Sequence, residues 1–105
     1  MHVDHAVNLV RARSCLAALA DRAHTEDGTD AYERVLIDLD RINGDQSPAV
    51  DPQPRGTTRS LLLQHANVAI TQLTRYGIDG LLVELLLAEL ADAYTADREH
   101  VEDGA

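Results

Sequence analysis

The sequence predicts an all-α protein, a four-helix bundle, and three observations predict it. Apolar residues recur at alternating spacings of three and four, the pattern of helices packed along a seam. Between Leu81 and Leu90, six of ten residues are leucine and only Glu84 and Glu89 are charged. One segment lacks a helical pattern: Gly44 to Thr57, with Pro48, Pro52 and Pro54.

The first helix is expected over residues 4–23. His5, Leu9, Ala12, Leu16, Leu19 and Ala23 form its seam, and Val3, Val7 and Val10 broaden it near the start. Arg11, Arg13, Asp21 and Arg22 lie off the seam and are expected to be solvated. His24 to Gly28 reads as a polar turn. The second helix is expected over 30–42, opened by Asp30 and Glu33 as a capping box. Tyr32, Val35, Leu39 and Ile42 make its buried stripe, and Asn43-Gly44 closes it.

The loop 44–57 follows. Its prolines remove backbone donors and hold the preceding residues extended. So long a loop in a compact domain is either functional or mobile. It reads as a flexible strap, with Ala49 and Val50 the apolar contacts it offers.

The third helix is expected over 59–76, opened by Thr57 or Thr58, with Leu62, Ala66, Ala69, Leu73 and Tyr76 as its seam. Gly77 stops it, and Asp79 can cap a fourth helix over 79–98. So short a connection makes these two helices an antiparallel hairpin. On the fourth helix Leu82, Leu86, Leu90 and Tyr94 form one stripe. Val83 and Leu87 widen it on one side, and Leu81, Leu85 and Ala88 on the other. A charged, flexible tail, 99–105, ends the chain. The expected architecture is one domain, 1–105, of two αα-hairpins joined by the proline-rich loop.

The first turns of the fourth helix are apolar nearly all round, far wider than an ordinary amphipathic stripe. A chain of 105 residues has little bulk with which to surround such a helix. The expectation is therefore a homodimer, with Leu82, Val83, Leu86, Leu87, Leu90 and Tyr94 at the interface. The core points the same way. It contains no Phe or Trp, and alanine contributes little burial energy, so a monomer would be modestly stable.

The formal net charge is −9, from 18 acidic and 9 basic residues, and every basic residue is arginine. That sign argues against nucleic acid, which is bound by neutralising phosphates. Acidic residues interrupt the leucine run, so no membrane span is expected. Cys15 is alone, which excludes an internal disulfide. No signal peptide is visible, and the expected location is the cytoplasm.

Chemistry-bearing patterns are sparse. His2 and His5, and Asp97 and His100, have the i, i+3 spacing of metal ligands but lack the further ligands a tetrahedral site needs. No Glu-x-x-His occurs, which removes a ferritin-like centre. Gln64, His65 and Asn67 form a polar trio beside the third seam that could set a subunit register. Glu89-Leu90-Ala91-Asp92 places two carboxylates one turn apart, a geometry that suits Mg²⁺.

This fragment resembles the Glu-x-x-Asp half of the all-α nucleotide pyrophosphohydrolases. The resemblance covers those four residues and a leucine-rich approach. It implies Mg²⁺-dependent phosphoanhydride hydrolysis at Glu89 and Asp92. The family also carries a Glu-x-x-Glu on the preceding helix, whereas the third helix here has no acid; Asp30 and Glu33 are the nearest substitute. The leading expectation is a non-enzymatic interaction module that homodimerises through its fourth helix, as an adaptor or regulatory subunit. The alternatives are the Mg²⁺ enzyme and a groove for an amphipathic helix of a partner.

Overall fold

A computed structural model describes residues 3–44, 49–50 and 57–103, and among them the chain is all-α. The helices are α1 (Val3–Asp21), α2 (Glu26–Ile42), α3 (Arg59–Thr71) and α4 (Gly80–Asp103), with a 3-10 segment Gln72–Tyr76 continuing α3. No helix among the described residues is long and apolar enough to cross a membrane.

Several boundaries differ from those read in the sequence, each for a local reason. α2 begins four residues early because Thr25 caps it: the Thr25 hydroxyl accepts from the Gly28 amide at 2.9 Å. Asp30 and Glu33 therefore lie inside the helix and form no capping box. Thr58 caps α3 in the same way, accepting from Leu61. The third helix tightens to 3-10 after Thr71 and stops at Gly77, whose left-handed backbone (φ 91°) favours glycine. The Asp79 carboxylate accepts from the Leu81 amide at the start of α4. α4 then runs on to Asp103, through most of the segment read as a tail. Most of the proline-rich loop lies outside the described residues.

Each helix has two neighbours: α1 lies against α2 and α3, and α4 lies against the same two. Neighbours are antiparallel. Asn8 near the start of α1 donates to the Ala69 carbonyl near the end of α3, and Arg22 beyond the end of α1 donates to the Thr57 carbonyl ahead of α3. Along α1 and α2, His5 meets Asn43 and Arg13 pairs with Asp40 at 2.8 Å. Arg13 and Arg22 were expected in solvent, but they tie elements together.

These contacts also account for the length of the loop. Asn43, where α2 ends, sits beside His5 at one end of the bundle. Thr57 and Arg59, where α3 starts, meet Arg22 and Asp97 at the other end. The connection must cover roughly 25 Å, the rise of α1 from His5 to Arg22 at about 1.5 Å per residue.

The core is formed by four seams. Leu9, Ala12, Leu16 and Leu19 of α1, Tyr32, Val35 and Leu39 of α2, and Leu62, Ala66, Ala69 and Leu73 of α3 are buried as their spacing predicts. On α4 the buried line is Val83, Leu86, Leu90, Ala93 and Asp97, again at spacings of three and four. Asp97 is a fully buried acid on that line. Its carboxylate accepts from the His24 amide at 2.9 Å and forms an ion pair with Arg59 at the start of α3. It also lies against Gly28 in the first turn of α2, where the partial positive charge of a helix start favours an anion. One side chain thus joins α4 to the α1–α2 turn, to α2 and to α3. Tyr32 lies beside this cluster, and burial pushes its phenol above the ordinary value, with the Arg59 charge opposing.

Gly28 sits inside a helix because of Asp97. A Cβ at position 28 would lie 2.9 Å from the Asp97 Cγ, tighter than real Cβ atoms approach a neighbour. Alanine in a helix is ordinarily about 1 kcal/mol better than glycine. Gly28→Ala is nonetheless expected to destabilise the protein by about 1–3 kcal/mol, because it displaces a buried carboxylate from its partners. Urea denaturation of the two chains decides this, and a variant as stable as the native chain would contradict the placement of Asp97.

Candidate functional site

The buried line of α4 divides the leucine cluster. Val83, Leu86 and Leu90 face the bundle's own core, and Leu87 and Tyr94 are half-buried. Of the six residues expected at a subunit interface, only Leu82 is exposed, at 39%. The large apolar residues of α4 facing outward are Leu81 at 65%, Leu85 at 55% and Leu82. The candidate surface moves accordingly. A stripe drawn at constant spacing of four, from Leu82 through Leu86 to Tyr94, drifts quickly around a helix of 3.6 residues per turn, whereas alternating threes and fours drift far less. That alternation runs through Val83 and ends on Asp97.

Beside this surface, α2 and α4 border an open groove of about 500 Å³. Glu89 and Asp92 line it from α4, and Asp27, Asp30 and Arg34 line it from α2, over a floor that includes Val35 and Ala93. The two acids of the Glu-x-x-Asp fragment thus face a second i, i+3 acidic pair, Asp27 and Asp30. The sequence hides that pair, because residues 24–28 read as a turn. Among the described residues, no three potential ligands come close enough together to hold a metal ion.

Glu89 is the perturbed group. Burial pushes its carboxyl up to about 7, a hydrogen bond with Asp38 of α2 and the charge of Asp38 push the same way, and Arg34 opposes them. Asp38 also meets Arg41 at 3.6 Å.

The other sequence candidates disperse. His5 stacks on Tyr76 with parallel rings 4.9 Å apart, and its Nε2 lies 2.9 Å from the Asn43 Oδ1. His2, which shares its i, i+3 spacing, is outside the described residues. Asp97 is engaged with Arg59 inside the bundle and so is not a surface ligand beside His100. His65 and Gln64 are exposed, and Asn67 donates to the Leu63 carbonyl of its own helix, so the trio does not act together. Cys15 is buried, and burial pushes its thiol up, away from a reactive thiolate. Compared with known protein families, curated proteins and solved structures, the chain matches none of them.

A raised carboxyl has a definite sign in stability. The folded chain holds a proton on Glu89 that the unfolded chain releases between the ordinary value near 4.5 and about 7. The stability tied to that proton is complete below the window and is lost as pH rises through it. Glu89→Gln stays neutral throughout. Its stability relative to the native chain is therefore expected to rise between about pH 5 and about pH 8. Denaturation midpoints of both chains across that range check it, and a difference independent of pH would contradict it.

Proposed function

We propose that this chain is a protein-interaction module, two helical hairpins closed on each other, in which α4 carries the docking face and a second copy covers it. The observation that carries the reading is the outward placement of Leu81, Leu82 and Leu85 on the most leucine-rich helix of the chain. Three large apolar side chains within five residues, facing water together, form a candidate contact surface. Two such faces meet in an antiparallel, two-fold arrangement, each presenting the same patch to the other.

The patch is small beside the roughly 800 Å² per partner of a standard interface. The dimer is accordingly weak, with a dissociation constant on the order of micromolar. Nothing in this reading requires catalysis, and the role is that of an adaptor or regulatory subunit.

Sedimentation over a range of concentrations tests it. The double variant Leu81→Ser/Leu85→Ser is expected to remain helical and become monomeric. Leu86→Glu, which places a charge in the core, is expected to unfold the chain. A native chain that stays monomeric up to about 100 times the micromolar scale, or a serine variant that still dimerises, would contradict the reading.

A second reading is supported by one observation, the facing pairs Asp27/Asp30 and Glu89/Asp92 in a single groove. The Mg²⁺-dependent pyrophosphohydrolase suggested by Glu89 and Asp92 needs a second acidic pair on a neighbouring helix; Asp27 and Asp30 line the other side of the groove, where no three of the four acids are close enough to hold one ion as they stand. Under that reading Mg²⁺ raises the melting temperature of the native chain and not of Asp92→Asn. An unmoved native melting temperature disposes of it.

A further inference from the structure

We infer that the α4 leucines and the acidic groove beside them form one continuous docking strip for a basic amphipathic helix of another protein. The inference rests on the exposed leucine face of the preceding reading and goes beyond it by naming a partner other than a second copy. Leu81, Leu85, Glu89 and Asp92 follow one another along one side of α4, at steps of four, four and three. The apolar patch therefore leads directly into the groove that Glu89 and Asp92 share with Asp27 and Asp30. From Leu81 to Ala96 the strip measures about 22 Å at about 1.5 Å per residue, the length of a four-turn helix.

Charge selects the occupant. Between Gly80 and Ala96 α4 carries Glu84, Glu89 and Asp92 and no basic residue; Glu89 holds its proton up to about pH 7, so Glu84 and Asp92 supply the charge there. Glu84 and Asp92 are exposed, as are Asp27 and Asp30 opposite. Among the described residues, Arg34 is the one cation lining the groove. A second copy laid on this strip sets acids within a Debye length, about 10 Å, of other acids. A helix with leucines at one end of its apolar stripe and Lys or Arg two turns further on meets complementary groups along its length. The net charge of −9 also draws such a partner in before contact. A basic helix therefore outcompetes the second copy and separates the dimer.

The experiment uses the full chain and two labelled synthetic peptides read by fluorescence anisotropy. One is an amphipathic helix of leucine and lysine; the other keeps the leucine positions and carries glutamate for lysine. The lysine peptide is expected to bind and the glutamate peptide not. Leu81→Ser/Leu85→Ser, which leaves the charge unchanged, is expected to weaken binding about tenfold or more, as is Asp27→Asn/Asp92→Asn. Glu33→Asn, an exposed acid outside this groove, serves as the control and leaves affinity within about twofold.

Three results overturn the inference: no binding of the lysine peptide, native-like affinity in the serine variant, or an Asp27/Asp92 variant no weaker than the control. The first result combined with a leucine-dependent dimer in sedimentation removes this inference and leaves self-association standing. Tight peptide binding by a monomeric chain does the reverse.

Discussion

The structure depends on the burial of Asp97. A carboxylate with no exposed surface is tolerated because Arg59 and the His24 amide meet it and the start of α2 lies beside it. Removing such a group from water is costly and offsets much of the Coulomb gain, so its main contribution is to geometry. Those partners come from three other elements, so they fit Asp97 in only one rotation and one axial position of α4. That rotation puts Val83, Leu86, Leu90 and Ala93 inside and leaves Leu81, Leu82 and Leu85 outside. The exposed leucine face is thus a consequence of a polar contact at the opposite end of the helix. A buried polar residue at one seam position is a known means of fixing register.

The residues that followed a strict seam were legible in the sequence. Leu9, Ala12, Leu16 and Leu19, and Leu62, Ala66, Ala69 and Leu73, repeat every three and four and are buried accordingly. α4 was harder, because leucine stands on all sides of its first turns and hydrophobicity alone does not choose a face. The face is chosen by Asp97, which in sequence looks like the onset of a polar tail. The signal was present, since Asp97 extends the spacing of Val83, Leu86, Leu90 and Ala93. Reading it required accepting an acid as a core residue, and the arginine that permits this stands 38 residues away.

The same difficulty hid the groove. Gly28 in a polar run reads as a turn, which puts Asp27 in a loop and only Asp30 in a helix. Gly28 is glycine because it packs against Asp97, a reason invisible without the fold. Once Thr25 starts the helix, Asp27 and Asp30 fall on the side facing Glu89 and Asp92. Electrostatics and apolar exposure then coincide on α4: leucines at its start, acids along its middle, and a proton held on Glu89 where α2 crowds it with Asp38.

A double-mutant cycle on Asp97 and Arg59 probes this arrangement most directly. Asp97→Ala, Arg59→Ala and the double variant are compared with the native chain by urea denaturation. If the pair fixes α4, the two changes are strongly non-additive, with a coupling energy of about 2 kcal/mol or more. Losses that add to within about 0.5 kcal/mol would show that the two residues do not hold each other, and the rotation of α4 would need another cause.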